Sequence, residues 1–448
     1  MKATVSLRDR LLAAVAAERD GAWLQAAEYY RLALPLLPDD HRLPTNLGNV
    51  LWLAGDPESA RQAFAQAVIL APAESLPLRG LGNALRDLNA FEQADAAYAQ
   101  SRQLADEPLS AWNHSQLLLG LERYSDAYAA AERRLELAAM LPFRPGPYAS
   151  PSSHPSLRGE ASDQPLHLWS EQGLGDTLQY LRWLTLLGQH ANAICLEVEH
   201  QLVELLQQGL AWLPHPPQVV AKPRDGSAAP AITAAQAPLM SLPHHLGGAP
   251  LAGAEPYLRH PAWAGAADRQ QQTSQHPTSA TRRIGLVWAA GRKLEDPFTA
   301  REYRKRSLPP EALGALVDGL HRSGAQLVNL QVGPDRDSAG ALASHFADAL
   351  DPTADFAATA AVVRQLDLVI TVDTAMAHLC GALGQRAWVL LPFSADPRWL
   401  RQRSDSPWYP SLQLWRQRTS GDWLAMVDDV VNGVVGGAVE LASLAKPV

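Results

Sequence analysis

Along the first 140 residues, small and aromatic apolar positions return every 34 residues: Ala26, Ala60 and Ala94 keep the step, and Tyr30, Phe64 and Tyr98 each follow by four. Leu47-Gly48 recurs as Leu81-Gly82, and Pro38 and Pro72 close two of the units. This pattern predicts antiparallel helix pairs. The alanine lets two helices approach, the aromatic ring fills the gap one turn later, and proline ends the helix. A weaker fourth unit, residues 122–132, is spaced by 33. One pair cannot bury its apolar face alone, so three or more stack into a superhelix with a concave groove that holds a partner. Asn49 and Asn83 occupy equivalent places on successive units. They either present amides to an extended peptide or hydrogen-bond between helices.

Beyond residue 140 the helical period stops, and residues 141–164 are rich in proline and serine, as a linker is. Short apolar runs then alternate with helical stretches, the arrangement of a parallel sheet with crossover helices. Strands are expected over 166–170, 193–198 and near Val219, with a helix over 177–187. A polar, aperiodic run over 264–281 forms a second linker. Further strands are expected over 284–288, 326–331, 368–372 and 388–391. The division expected is a repeat domain over 1–140, a first α/β lobe over 165–263 and a second over 282–448, with a cleft between the lobes.

Composition narrows the chemistry. Hydrophobic residues make up 47% of the 448 and charged residues 19%, the balance of a soluble globular chain. With 38 basic against 46 acidic residues the formal charge is −8, which lacks the basic footprint of a nucleic-acid binder. Cys195 and Cys380 lie far apart and show no zinc-type spacing, so reduced thiols and a cytoplasmic location are expected. Residues 1–21 scatter Arg8, Asp9, Arg10, Glu18, Arg19 and Asp20 around a short apolar stretch, so no secretory segment is expected. No apolar run reaches the ~20 residues that a membrane helix needs.

Open α/β sheets bind ligands beyond the carboxyl ends of their strands, which gives weight to three segments. The first, Glu171-Gln172-Gly173-Leu174-Gly175-Asp176-Thr177, runs from a strand into a helix. Gln172, Gly173, Gly175 and Thr177 would form a phosphate or acceptor loop, with Asp176 either a general base or the helix cap. Next comes Thr371-Val372-Asp373-Thr374-Ala375-Met376-Ala377-His378. Its Thr374–Ala377 amides would face an anion, Asp373 would cap the helix or take a sugar hydroxyl, and His378 would either reach a phosphate or sit as a core histidine. The third is a cation cluster, Arg292, Lys293, Arg301, Arg304, Lys305 and Arg306, ahead of Ser307. It suggests a polyanionic ligand, or a solvated charge run. The aromatic Ser406-Pro407-Trp408-Tyr409-Pro410 either walls the cleft or closes the core.

Together these segments, with Gly285-Leu286-Val287-Trp288 and the repeats, resemble the bacterial tetratricopeptide-repeat glycosyltransferases. The C-terminal region of that group is similar to glycosyltransferase family 9, the ADP-heptose:lipopolysaccharide heptosyltransferases. The resemblance implies an α-helical tetratricopeptide (TPR) solenoid followed by an α/β GT-B fold of two Rossmann-like lobes. It implies a nucleotide-diphosphate-sugar substrate, no further cofactor and no required metal. Asp176 matches the family's proposed base; Asp373, Thr374, Ala375, Met376 and His378 match the donor diphosphate loop; Arg306 and Ser307 fall near its basic donor contact. This sequence departs from the pattern after Trp288, where Ala289-Ala290-Gly291 leads into a longer basic loop. The expected activity is inverting transfer to a hydroxyl of a protein or glycan acceptor recruited by the repeats. Two other readings stand beside it: a repeat adaptor with an inactive GT-B-like region, and a nucleotide-sugar epimerase of the same fold.

Overall fold

The computed structural model describes residues 6–137, 154–188, 191–223, 235–250, 255–263, 282–292 and 294–436. Lys293 and most of both expected linkers lie outside the described residues. The chain divides into two compact units. One holds Met1–Leu137 together with Lys293–Lys305 and Ser394–Arg401, and the other holds the remainder. The expected division had assigned both of those short segments to the second lobe.

In the first unit, the helices α1 (Leu7–Arg19), α2 (Trp23–Ala33), α3 (Arg42–Ala54), α4 (Pro57–Leu70), α5 (Ser75–Asp87), α6 (Phe91–Leu104), α7 (Pro108–Gly120) and α8 (Tyr124–Ala131) stack as antiparallel pairs of the tetratricopeptide type. Ala26, Ala60 and Ala94 are fully buried, as are the aromatic rings that follow them. The glycines explain the close approach: a β-carbon on Gly48 would stand 2.7 Å from the Phe64 ring, and one on Gly82 2.7 Å from the Tyr98 ring. Each pair turns through one left-handed residue, at Gly21, Gly55, Asn89 and Glu122, with φ of 71°, 89°, 58° and 60°. Aspartate and proline start α4, where Asp56 accepts from Ser59 N–H at 3.0 Å and Pro57 takes the first helical position.

The second unit contains two parallel sheets. The first comprises β1 (Leu166–Trp169), β2 (Ile194–Val198), β3 (Gln218–Ala221) and β4 (Ala235–Pro238) in the order β3-β2-β1-β4. The second comprises β5 (Arg283–Val287), β6 (Gln326–Asn329), β7 (Phe346–Ala349), β8 (Leu368–Val372), β9 (Ala387–Leu391) and β10 (Leu412–Arg416) in the order β10-β9-β8-β5-β6-β7. β8 and β9 are buried at every position, the signature of strands covered on both faces. Both orders reverse direction once, beside β1 in the first sheet and between β5 and β8 in the second. Such reversals open a crevice at the carboxyl ends of the strands.

The expected helix over 177–187 is instead α9 (Leu174–Tyr180), a 3₁₀ turn (Leu181–Trp183) and α10 (Leu184–Leu187), and the helices that follow are α11 (Val203–Gly209), α12 (Leu242–Leu246), α13 (Pro297–Arg306), α14 (Pro310–Arg322), α15 (Phe356–Val363), α16 (Ala375–Leu383) and α17 (Trp423–Val435). The first of these segments departs from expectation at its start. It begins earlier because Gly173 serves as its N-cap.

Candidate functional site

The candidate site is built from the loops at the two sheet reversals. After β1, Asp176 reaches back to accept the Gly173 N–H at 3.0 Å, and Thr177 N–H bonds Gly173 O at 3.0 Å. Asp176 therefore does cap α9, while staying only half-buried. After β8, Thr374 caps the helix α16 (Ala375–Leu383), its hydroxyl accepting from Met376 N–H at 3.1 Å. Arg306, at the end of the helix α13 (Pro297–Arg306), donates to Asp373 O at 3.3 Å, tying the segment after β5 to the loop after β8. Ser307 accepts from Ala290 N–H at 3.1 Å, and Gln331 Oε1 accepts from Trp288 N–H at 3.0 Å and Ala289 N–H at 2.9 Å.

The two loops meet. The N-terminal turn of α9 packs on that of α16, and a β-carbon at Gly175 would lie 3.5 Å from Ala375 Cα. Asp176, Gln172, Gly173, Gly175 and Thr177 are thereby brought to the same junction as Thr374 and Ala375. The Met376 and Ala377 amides, expected to face a ligand, are bonded to Thr374 within the turn.

His378 is 2% exposed, and its Nδ1 pairs with the Tyr409 hydroxyl at 3.0 Å. That hydroxyl lies 3.5 Å from the Tyr257 hydroxyl, which donates to Leu178 O at 2.7 Å. Burial pushes the Tyr257 phenol well above its ordinary pKa. The Arg182 guanidinium stands 4.5 Å from the centre of the Tyr409 ring, 5.3 Å from Trp408 and 5.5 Å from Tyr257. The Ser406–Pro410 segment thus closes the core, with Trp408 and Tyr409 each 1% exposed.

Sequence reasoning missed the polar cluster past the first sheet's other strands. Glu199, following β2, accepts from Ser170 at 2.8 Å, from Lys222 at 2.7 Å and from Thr177 at 3.4 Å. No local motif marks Glu199 or Lys222. Only parallel pairing of β1, β2 and β3 brings them to Thr177.

Two expectations divide residue by residue. The cation cluster is not one anion site: Arg301 is buried against the repeats, where it pairs with Asp87, and Lys305 pairs with Glu302 at 2.9 Å. Among the described members of the cluster, Arg306 is bonded to the β8 loop, and Arg292 and Arg304 are exposed. The asparagine ladder also separates. Asn83 accepts from Tyr98 at 2.6 Å and from Asn113 at 3.1 Å, an inter-helix role, whereas Asn49 is exposed.

The chain therefore joins a helical repeat array of the tetratricopeptide type to an α/β region of two parallel sheets. No protein-family model matches it. Protein FlbA of Caulobacter vibrioides is 24% identical over 443 residues, covering 89% of this chain and 68% of that protein. Among solved structures, MamA from Desulfovibrio magneticus RS-1 is similar at 18% identity with a TM-score of 0.27, over 30% of this chain and 76% of that one. PilF of Pseudomonas aeruginosa is similar at 23% identity and a TM-score of 0.27, over 30% of this chain and 68% of that one. Among the described residues, no helix is long and apolar enough to cross a membrane.

Proposed function

We propose that the protein is a glycosyltransferase of GT-B type that moves a sugar from a nucleotide-diphosphate donor to a hydroxyl of a protein or glycan acceptor. One observation carries the reading: the Asp176 loop and the Thr374 loop, at the reversals of two separate parallel sheets, meet at one junction. Asp176 deprotonates the acceptor hydroxyl, and its bond to Gly173 N–H holds the carboxylate at the mouth of α9. Arg306 and the positive dipole end of α16 stabilise the departing diphosphate. His378 acts as a positioning residue, since it is buried between Gly175 and Tyr409. The repeats recruit the acceptor.

Calorimetry of the full chain against a panel of nucleoside diphosphates and nucleotide sugars tests this. Saturable binding of one nucleotide, weakened at least tenfold by Arg306→Ala, is expected. Silence across the panel from a folded sample rejects the transferase reading. A second reading, a repeat adaptor whose α/β region is a scaffold, is favoured by the amides at Trp288, Ala289, Ala290 and Met376, which are all bonded within the protein. Such silence would support it.

A further inference from the structure

Behind the contact of α9 with α16, the side chains of Arg182, Tyr257, His378 and Tyr409 are buried together. Tyr257 lies in the chain between the two sheets, and its backbone is fixed at both ends. Its N–H donates to Ala382 O at 3.0 Å, and its carbonyl accepts from the Trp212 indole at 3.0 Å. The phenol stays protonated, because burial raises it well above its ordinary pKa. Its one hydrogen goes to Leu178 O at 2.7 Å, a carbonyl that can only accept. The Tyr257 oxygen therefore meets its other neighbours as an acceptor. Arg182 offers nothing but donors, and its Nη2 is itself buried without a hydrogen-bond partner among the described residues, so it can take neither phenol hydrogen. The other neighbour is the Tyr409 hydroxyl at 3.5 Å. Two phenol oxygens facing each other lone pair to lone pair in a dry site are costly, so the Tyr409 hydrogen lies between them. With that hydrogen spent, the Tyr409 oxygen accepts at its 3.0 Å contact with His378 Nδ1, the usual length of an N–H···O bond.

We infer that Tyr257 is a positioning residue for His378: the relay from His378 Nδ1–H to Tyr409, from Tyr409 to Tyr257 and from Tyr257 to Leu178 O fixes the neutral imidazole with its hydrogen on Nδ1 and a lone pair on Nε2. Which ring nitrogen carries the hydrogen is set by the bond the ring makes, and here that bond is set two side chains away. Nε2 is bonded to Cδ2, the ring atom that a β-carbon at Gly175 would meet at 2.9 Å, so the lone pair belongs to the ring edge where α9 and α16 touch. The consequence for ligands rests on the transferase reading. An imidazole edge of this form accepts a hydrogen from a hydroxyl or an amide and repels a diphosphate oxygen, which leaves the donor anion to Arg306 and the α16 dipole.

Long-range proton–nitrogen NMR of the full chain, labelled with ¹⁵N in its histidine rings, tests this at pH 8, above the ordinary histidine pKa of about 6.5. The signals lost in His378→Gln assign His378 among the 14 histidines. Wild type should show a protonated Nδ1 and an unprotonated Nε2. Tyr257→Phe keeps the ring beside Arg182 and removes only the oxygen, so the Tyr409 hydrogen should turn to Nδ1 and the imidazole hydrogen should move to Nε2, with circular dichroism unchanged. An Nε2–H tautomer or a doubly protonated ring in wild type overturns the assignment, and a folded Tyr257→Phe that keeps Nδ1–H overturns the role of Tyr257. If Tyr257→Phe does not fold, Tyr409→Phe takes its place; it should also lose the Nδ1–H form, and retention of that form overturns the relay. None of these readings needs a ligand, so the tautomer can stand while nucleotide binding fails, and the reverse.

Discussion

Gly175 on α9 lies directly against the imidazole of His378 on α16, where a β-carbon would stand 2.9 Å from Cδ2. The ring is held from the other side by the Tyr409 hydroxyl, so it cannot retreat without breaking that bond. Gly175→Ala should therefore destabilise the second unit by about 1–3 kcal/mol, as overpacking does. Differential scanning calorimetry should show its transition lowered. His378→Ala in the Gly175→Ala background should recover part of the loss.

Asp176 has two roles that substitution separates. Asp176→Asn keeps an oxygen for the Gly173 N–H, so its melting temperature should stay near wild type, while turnover falls about 10²–10⁴-fold once a donor is known. Asp176→Ala loses the cap as well, at about 1 kcal/mol. Wild-type turnover by the asparagine variant removes the base assignment.

Burial alone would raise the Asp87 carboxyl, but Arg301, Lys305 and Arg86 outweigh it and hold the group below its ordinary value of 3.8. A carboxylate depressed in the folded state contributes stability that is fully present above about pH 4 and is lost as pH falls below it. The transition of the first unit should fall in that window more steeply in wild type than in Asp87→Asn. At neutral pH, Asp87→Ala should cost about 1–3 kcal/mol, because the Trp52 indole N–H loses its acceptor while Arg301 keeps only its Glu302 carboxylate.

Glu122 occupies the left-handed turn position that Gly21, Gly55 and Asn89 hold in the preceding pairs. A side chain there is strained by about 1–2 kcal/mol, which glycine relieves at some entropic cost. Glu122→Gly should stabilise the repeats by about 0.5–1 kcal/mol, measured by urea denaturation, whereas Gly55→Val should destabilise them.

The repeat packing was legible because each rule is local. An alanine, an aromatic four residues later and a Leu-Gly pair recur at one step, and in the structure Gly48 and Gly82 meet the Phe64 and Tyr98 rings of that series. The buried strands β8 and β9 were legible for the same reason, as continuous apolar runs. β7, Phe-Ala-Asp-Ala, was missed because it lies at a sheet edge with three of its four residues exposed. β4 carries a proline and few large apolar groups, so it offers no strand pattern. At the candidate site, both loop sequences do run from a strand into a helix, after β1 and after β8. The fate of individual cations did not follow, because Arg301 and Asp87 are 214 residues apart and nothing near either one announces the other. Burial of His378 likewise depends on Gly175 and Tyr409, distant in sequence.

The two short segments that belong to the first unit have a topological consequence. The backbone passes from one unit to the other five times, at 137/138, 292/293, 305/306, 393/394 and 401/402. A single cut at 137/138 leaves residues 1–137 with no covalent link to the rest of the chain, held to the short segments of their own unit by non-covalent contacts such as the Arg301–Asp87 pair. Arg301, Asp396 and Arg401 reach the repeats only through the later crossings. A gene fragment ending near residue 140 therefore encodes the helices without the pieces that complete their surface, and its melting behaviour should differ from that of the same helices in the whole chain.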